Sequence, residues 1–368
     1  MISTDRQYMK RALALAKKGV GKTSPNPAVG CVIVKNGAII GEGWHKRAGG
    51  HHAEVHALEM AGGAAEGADV YVTLEPCSHT GRTPPCSDAL IRAGIRRVFI
   101  GMSDPNPRVN GCGVHALQQA GIETCVGVLE DECRAINHPF LKSISTGMPY
   151  VTYKCAMTLD GKIASVTGES RWISSDASRK IVHRMRADSD AIMVGVDTIL
   201  ADNPQLTVRH VRGKNPLRII VDSHLRTPES VAVLSGDLAQ GTIIATIESN
   251  PKVHARYIRS GATVLVCNSE NGRVSLGDLW KKLGELGVQS LLLEGGSHLA
   301  GEALRLGLID RCIFFYAPKV IGSDGFSPFA ITGITDMAHA VPYRTVSMRH
   351  VGPDIMVTTH PENQCSLD

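Results

Sequence analysis

The sequence predicts an α/β protein built as two domains, and three observations lead there. Its 368 residues exceed the usual size of a single core and leave room for two. Up to residue 128, apolar runs of strand length alternate with stretches of helical period, the pattern of a layered α/β domain. A cluster of breakers near residue 146 then precedes a fresh run of strands and helices. We divide the chain into residues 1–146 and 147–368.

The first domain opens with a helix over residues 4–18, where Met9, Ala12, Leu13 and Ala16 share one face and Gly19 is a natural stop. Apolar runs at 28–34 and 38–42 flank Lys35-Asn36-Gly37, and Asn-Gly between such runs is a strong hairpin signal. A helix at 53–61, strands at 68–74 and 97–102, a helix at 113–120 and a strand at 122–128 follow. His138-Pro139, Thr146-Gly147 and Met148-Pro149 then interrupt the helical pattern. The second domain starts with a strand at 150–156, closed by a loop at 158–164. Residues 168–174 read as a loop entering a helix capped near Ser174 or Ser175, with a basic stretch at 179–186. An apolar strand covers 191–196. Farther on, a buried strand at 290–293 leads through Glu294-Gly295-Gly296-Ser297 into a helix at 298–305. Residues 309–322 read as a strand and loop that build core or a subunit interface, and the polar tail from Pro361 is expected to fray.

Lysine and arginine total 39 against 35 acidic residues, a net charge of +4 with no long basic run, and aromatics make up 4% of the chain. That balance argues against a nucleic-acid partner, which needs a basic surface interleaved with aromatics, and is compatible with a small anionic substrate. No apolar stretch is long enough for a signal peptide or a membrane span, so a soluble, cytoplasmic protein with no membrane partner is expected. Ten cysteines without regular spacing fit a reducing compartment better than a disulfide framework. Cys31, Cys112, Cys125, Cys133, Cys155, Cys267, Cys312 and Cys365 are read as structural or incidental.

The remaining two cysteines carry chemistry. His52-Ala53-Glu54 and the run from Pro76-Cys77 to Pro85-Cys86 supply three zinc ligands, His52, Cys77 and Cys86, plus a carboxylate, Glu54, that is not needed as a ligand. Such a set leaves the fourth position open and lowers the pKa of a bound water to about 7. Glu54 then stands where it takes a proton from that water and delivers it to a ring nitrogen and to departing ammonia. That is the inventory of a zinc-dependent hydrolytic deaminase. The bland alternative is a pair of reduced core cysteines and a partly exposed histidine. The loop between the cysteines is longer than in a compact Cys-x-x-Cys site and carries Arg82, a candidate phosphate or substrate contact. Pro25-Asn26-Pro27 and Asp104-Pro105-Asn106-Pro107 are turn chemistry first, and the functional alternative aims Asn26, Asp104 or Asn106 at a heterocycle or its ribose. Gly295-Gly296 between strand and helix suits a phosphate, because N–H groups at a helix N-terminus attract anions. The full Gly-x-Gly-x-x-Gly motif is absent, and a tight turn carries the same signature.

Pro25-Asn26-Pro27-x-Val29-Gly30, His52-Ala53-Glu54, Glu75-Pro76-Cys77-Ser78-His79, Gly81-Arg82-Thr83-Pro84-Pro85-Cys86 and Asp104-Pro105-Asn106-Pro107 make residues 1–145 resemble the pyrimidine deaminases of riboflavin biosynthesis. The resemblance implies a cytidine-deaminase-like layered fold, zinc at His52, Cys77 and Cys86, and Glu54 as catalytic proton shuttle. It also implies substrate contacts from Asn26, Arg82, Asp104 and Asn106. Arg82 stands where some relatives carry Lys, a change that keeps the charge but alters reach and fork geometry.

From residue 148 onward the chain resembles the riboflavin-pathway reductases, which have a dihydrofolate-reductase-like fold and reduce a ribose to a ribityl chain with NADPH. By that resemblance Ala156, Trp172, Thr198, Asp202, Ser223, Gly296, Ser297, His298, Leu299, Ala300, Gly301 and Glu302 line the NADPH site. Ser170, Arg186, Leu206, Arg209 and Glu294 contact the substrate, the two arginines being suited to its 5-phosphate. Lys154 and Asp160 are further candidates for this cleft without a defined role. The two resemblances together imply a bifunctional enzyme with Zn2+ and NADPH as cofactors. It would deaminate 2,5-diamino-6-ribosylamino-4(3H)-pyrimidinone 5′-phosphate and reduce the product to 5-amino-6-(5-phosphoribitylamino)uracil. A small phosphoribosyl pyrimidine is then the substrate, and a homo-oligomer is expected. Two other classes stay open on the residues alone. One is a nucleoside or nucleic-acid base deaminase whose second half only positions substrate, and the other is a C-terminal module that senses NADPH or holds subunits together without turnover.

Overall fold

The computed structural model describes residues 3–78, 84–106 and 109–362. The chain divides into two units, Met1–Gly147 and Met148–Asp368.

In the N-terminal unit, α1 (Ser3–Ala16) precedes the hairpin of β1 (Gly30–Lys35) and β2 (Ala38–Trp44). Asn36 and Gly37 take φ of 52° and 79°, the left-handed pair that matches strand twist in a two-residue turn. Next come α2 (Ala53–Ala61), β3 (Asp69–Val72), α3 (Cys86–Arg92), β4 (Arg97–Ile100), α4 (Cys112–Gln119), β5 (Glu123–Val126) and α5 (Glu130–Thr146). The sheet order is β2-β1-β3-β4-β5, antiparallel across β2-β1-β3 and parallel from β3 to β5. Strand residues alternate between two buried faces. Cys31, Ile33, Val70 and Val72 pack with Ala53, Ala57, Leu90 and Leu117, while Val32, Val34 and Tyr71 pack with Met9, Leu13 and Leu141. Helices therefore cover both sides, α1 and α5 on one and α2, α3 and α4 on the other.

The sequence expects an interruption at His138-Pro139, but α5 runs through Pro139 to Thr146. A proline inside a helix costs about 3 kcal/mol. Against that stand the burial of Leu141, about 1.5–3 kcal/mol, and two side-chain hydrogen bonds at about 1 kcal/mol each. Those bonds join Asn137 to Ala28 N at 2.8 Å and to Ala28 O at 3.1 Å. Tertiary anchoring on both sides of the proline thus outweighs the local penalty, and the breaker that holds is Gly147, the C-cap at φ 70°.

The C-terminal unit contains β6 (Tyr150–Thr158), α6 (Asp176–Asp188), β7 (Ala191–Gly195), α7 (Val196–Asp202), β8 (Leu217–Val221) and β9 (Thr242–Thr246). It continues with α8 (Pro251–Arg259), β10 (Thr263–Val266), the short hairpin β11 (Ser269–Glu270) and β12 (Arg273–Val274), α9 (Leu276–Glu285) and β13 (Ser290–Glu294). Last come α10 (Ser297–Arg305), β14 (Arg311–Ala317), β15 (Tyr343–Val351) and β16 (Asp354–Pro361), and residues 363–368 of the expected frayed tail lie outside the described residues. The large sheet has the order β10-β9-β8-β7-β13-β6-β14-β16-β15, parallel as far as β14 and antiparallel beyond it. Because β13 inserts between β6 and β7, the strand order switches there, and the carboxyl ends of these strands border a crevice where ligands bind in such sheets. The central strands are apolar throughout because both faces are covered. Met193 and Leu293 pack with Trp280 of α9 and Ala300 of α10, and Ile192 and Val194 pack with Ile199 of α7 and Tyr257 of α8. Ser175 caps α6, its Oγ accepting from Ser178 N. Among the described residues no helix is long and apolar enough to cross a membrane.

Candidate active sites

The first site assembles where α2 meets the end of β3. His52 is the N-cap of α2, so the backbone changes from extended to helical at that residue. Gly43 on β2 permits the helix to come this close, since a Cβ there would lie 2.1 Å from Ala53 O. From the opposite side the chain leaves β3 through Glu75-Pro76 to Cys77, and Cys86 opens α3. His52 Nδ1 lies 3.2 Å from Cys86 Sγ and 3.5 Å from Cys77 Sγ, and the three donor atoms fall within 4.8 Å of one another. Ligand atoms around a tetrahedral zinc stand roughly 3.3–3.8 Å apart, as its bond lengths require, so these residues fit a shared cation. Their charges agree. Hydrogen bonding from Cys86, aided by His52, holds the Cys77 thiol well below its ordinary range, and the resulting thiolate pushes Cys86 up. Two thiolates side by side need a cation to ionise together.

Glu54 lies in the first turn of α2, 3% exposed, and its Oε2 has no hydrogen-bond partner. Burial, reinforced by the Cys77 charge, lifts its carboxyl to about 7. Beside the metal-ligand atoms, such a group is placed to hold and move a proton. Asn26 Nδ2 meets His45 Nε2 at 3.2 Å, and His45 Nδ1 meets His51 O at 3.1 Å. Burial lowers the His45 pKa. The neutral ring therefore donates from Nδ1 to the carbonyl and accepts the Asn26 amide at Nε2, which leaves the Asn26 side-chain oxygen as an acceptor. Glu75, also 3% exposed, accepts four backbone N–H bonds. Asp104 and Gly111 donate to one oxygen at 3.1 Å each, and Gly113 and Val114 to the other at 2.9 and 3.2 Å. Asp104 Oδ1 accepts from Asn106 N at 2.9 Å and closes the next turn.

The second site is a cleft of about 1760 Å³ in the C-terminal unit, at the carboxyl ends of β6, β7, β8 and β13. Gly295 and Gly296, at φ 74° and 76°, turn the chain from β13 into α10. A Cβ on Gly295 would lie 3.3 Å from Thr198 Oγ1, so the turn stays open only without side chains. The first N–H groups of α10 have no intrahelical acceptor, and this turn fits the pyrophosphate of a dinucleotide. Beside it, Arg186 donates from Nε and Nη2 to the two oxygens of Glu294, both at 2.8 Å, and from Nη1 to Thr207 O at 3.1 Å. Burial opposes the Glu294 charge, but Arg186 outweighs it and holds the carboxyl below its usual range. Arg209 N donates to His183 Nδ1 at 3.1 Å, and Trp172, 63% exposed, lines the cleft with the Arg179 guanidinium 4.5 Å from its ring centre.

Residues 149–357 match the family model described as the RibD C-terminal domain, and residues 2–102 match the cytidine and deoxycytidylate deaminase zinc-binding region. A riboflavin biosynthesis protein RibD from Actinobacillus pleuropneumoniae is 49% identical over 355 residues, covering 96% of this chain and 94% of that one. The chain belongs to the RibD family. RibD from Acinetobacter baumannii has a solved structure that matches with a TM-score of 0.88 at 38% identity, over 97% of this chain and 99% of its own. A Thermotoga maritima structure, described as a diaminohydroxyphosphoribosylaminopyrimidine deaminase and 5-amino-6-(5-phosphoribosylamino)uracil reductase, matches with a TM-score of 0.85 at 37% identity, over 97% and 99% of the two chains. This RibD chain is accordingly a bifunctional enzyme of riboflavin biosynthesis, a zinc-binding deaminase unit joined to a reductase unit.

In this RibD chain the deaminase unit brings His52, Cys77, Cys86 and Glu54 together, whereas Arg82 lies outside the described residues. In the reductase unit Ala156, Trp172, Thr198, Asp202 and Ser223 line the cleft, as do Gly296, Ser297, His298, Leu299, Gly301 and Glu302. Ala300 does not. It is fully buried in the core beneath α10, on the face of the helix turned from the cleft. Ser170, Leu206, Arg209 and Glu294 also line the cleft. Arg186, expected at the substrate phosphate, commits its fork to Glu294 and leaves Arg209 as the exposed guanidinium of the two. Lys154 lines the cleft, but Asp160 closes a turn. The Asp160 carboxylate accepts from Thr158 Oγ1, Gly322 N and Ile321 N, bonds that hold its pKa at about 2. Sequence reasoning assigns no role to Glu75, His45 or His183. Glu75 had a signal, a carboxylate between an apolar strand and Pro76, while the two histidines carry none beyond residue type.

Proposed function

We propose that the N-terminal unit deaminates 2,5-diamino-6-ribosylamino-4(3H)-pyrimidinone 5′-phosphate and that the C-terminal unit then reduces the ribosyl chain to give 5-amino-6-(5-phosphoribitylamino)uracil. The observation that carries this reading is the unpartnered Glu54 Oε2 beside His52, Cys77 and Cys86. When bound, zinc supplies an activated water at neutral pH and NADPH supplies the hydride. Glu54 takes a proton from the attacking water at its carboxylate and passes it to the ring nitrogen, then takes the hydroxyl proton of the tetrahedral adduct and passes it to the departing amine, so that ammonia and the carbonyl form together. Asn26, oriented by His45, accepts from a polar edge of the pyrimidine. Asp104, Asn106 and Arg82 contact the same substrate. In the reductase cleft Glu294, fixed by Arg186, accepts from the sugar hydroxyls, and Arg209 holds the phosphate with Ser170 and Leu206 alongside. The glycine turn and the residues from Gly296 to Glu302 seat NADPH with Ala156, Trp172, Thr198, Asp202 and Ser223.

The assembly is a cytoplasmic homo-oligomer without a nucleic-acid partner. The exposed outer strand β15, with Val346 at 54% and Met348 at 71% exposure, supports the oligomer. Light scattering at the mass of one chain overturns that part.

Glu54→Gln tests the division of labour. Ammonia release is expected to fall by about a hundredfold or more with zinc content unchanged, while NADPH consumption with the deaminated intermediate stays at the wild-type rate. Ammonia release persisting in the variant removes Glu54 from the reaction, and wild-type protein that never consumes NADPH removes the reductase reading.

A further inference from the structure

We propose that Arg273 reads the 2′-phosphate of the dinucleotide and so sets the preference of this chain for NADPH over NADH, an inference that rests on the NADPH site proposed above. Arg273 opens β12 opposite Glu270 of β11 and lines the same cleft as Ser223 and His224. The hairpin is fastened at that point, because Val274 N donates to Ser223 Oγ at 3.0 Å. Ser223 is fixed in turn, its carbonyl accepting from Thr246 Oγ1 at 2.9 Å and Ile247 N at 3.2 Å. Arg273 therefore follows Ser223 by one backbone link, at the mouth of β8. Asn271 and Gly272, at φ 51° and 73°, make the tight turn that sets the hairpin register.

The other arginines of the cleft are already engaged. Arg171 donates to Asp202 O, Arg179 pairs with Asp176, Arg186 with Glu294, Arg226 with Asp197 and Arg305 with Glu302. Arg209 donates to Thr207 Oγ1. Arg273 is exposed and, among the described residues, is the cleft arginine with neither a hydrogen bond nor an ion pair. The nearby acids do not neutralise it directly. Glu270 accepts from Ser275 Oγ at 3.1 Å, and Glu302 is held by the Arg305 fork at 2.6 and 2.8 Å.

An uncommitted guanidinium fork next to a serine whose oxygen already accepts one bond and whose O–H is left to donate matches a phosphate monoester dianion. Of the two dinucleotides, only NADPH carries such a group on its adenosine ribose. The substrate phosphate has Arg209 near Arg186 and His183, on a different stretch of the cleft wall.

The test measures NADPH and NADH dissociation constants by nicotinamide fluorescence on the full chain without substrate, for wild type, Arg273→Gln and Arg273→Lys. Losing one charge-assisted contact is expected to weaken NADPH binding about ten- to a hundredfold in Arg273→Gln and to leave NADH binding unchanged, which also reports an intact fold. Arg273→Lys is expected to retain part of the preference, and added salt to narrow the NADPH–NADH gap in wild type more than in Arg273→Gln. Arg273→Gln with undiminished NADPH affinity, or with NADPH and NADH weakened in equal proportion, overturns the assignment while the NADPH site stands. Wild-type protein that binds neither dinucleotide overturns both.

Discussion

Glu54 and Glu294 are both buried carboxylates, yet one is lifted to about 7 and the other is held below its usual range. The difference is a cation. Arg186 lies against both Glu294 oxygens, whereas Glu54 Oε2 has no partner. Arg186→Gln strands the Glu294 charge, and the reductase unit is expected to lose roughly 3–5 kcal/mol in urea unfolding. Arg186→Gln combined with Glu294→Gln should recover much of that loss, and a double variant as unstable as the single one would show that charge is not the issue. His183 illustrates the opposite case. Burial, followed by the charges of Arg186, Arg209 and His210 and opposed by Glu294, depresses its pKa from 6.5 to about 4. Above pH 6.5 both folded and unfolded chains keep the ring neutral, and as pH falls from 6.5 towards 4 the unfolded chain takes up a proton that the folded one refuses. Stability is therefore expected to decline over that window, and His183→Asn, which keeps an acceptor for Arg209 N, should flatten the decline in denaturation measured at pH 7 and pH 4.5. An unchanged slope assigns the acid sensitivity elsewhere.

At the scale of elements, the Glu75 carboxylate does the work of a cap supplied from another segment. It accepts the N–H groups of Gly113 and Val114 at the start of α4 and those of Asp104 and Gly111 ahead of it, where a negative charge also suits the helix dipole. Glu75→Gln keeps the shape but turns one acceptor oxygen into a donor facing N–H groups. The deaminase unit is expected to lose about 2 kcal/mol or more, and ammonia release to fall with no change in NADPH affinity. Stability equal to wild type would show that water satisfies those amides. Such a cap cannot be read from sequence, because Glu75 and Gly113 become neighbours only through the fold. What was legible was local. The helix Ala53–Ala61, opening at His52, was legible, as were the Asn36-Gly37 hairpin from turn chemistry and the Ser175 cap from residue type. The run through Pro139 was not legible, because the Asn137 bonds to Ala28 that help hold it span 109 residues.

For the whole molecule, the metal cluster lies between residues 52 and 86 and the cofactor cleft between residues 153 and 332, each inside one unit with its own sheet. The motif residues made the first site legible because His, Cys and Glu carry their chemistry in their identity. Beyond its Gly295-Gly296 turn the second was legible only through resemblance, since its walls come from the ends of four strands scattered along the chain, and Ala300 shows how one helix turn separates a lining residue from a core one. The separation has a thermodynamic consequence. A ligand that binds only the folded state stabilises the unit it binds, by about 2.7 kcal/mol when present at a hundred times its dissociation constant. Removing zinc with a chelator is expected to abolish ammonia release and lower the unfolding temperature of the deaminase unit, while the NADPH dissociation constant stays the same. Added zinc should restore release. NADPH should in turn raise the unfolding temperature of the reductase unit alone. A chelator that weakens NADPH binding would mean that the two sites share a folding equilibrium, and the chemistry could not then be assigned unit by unit.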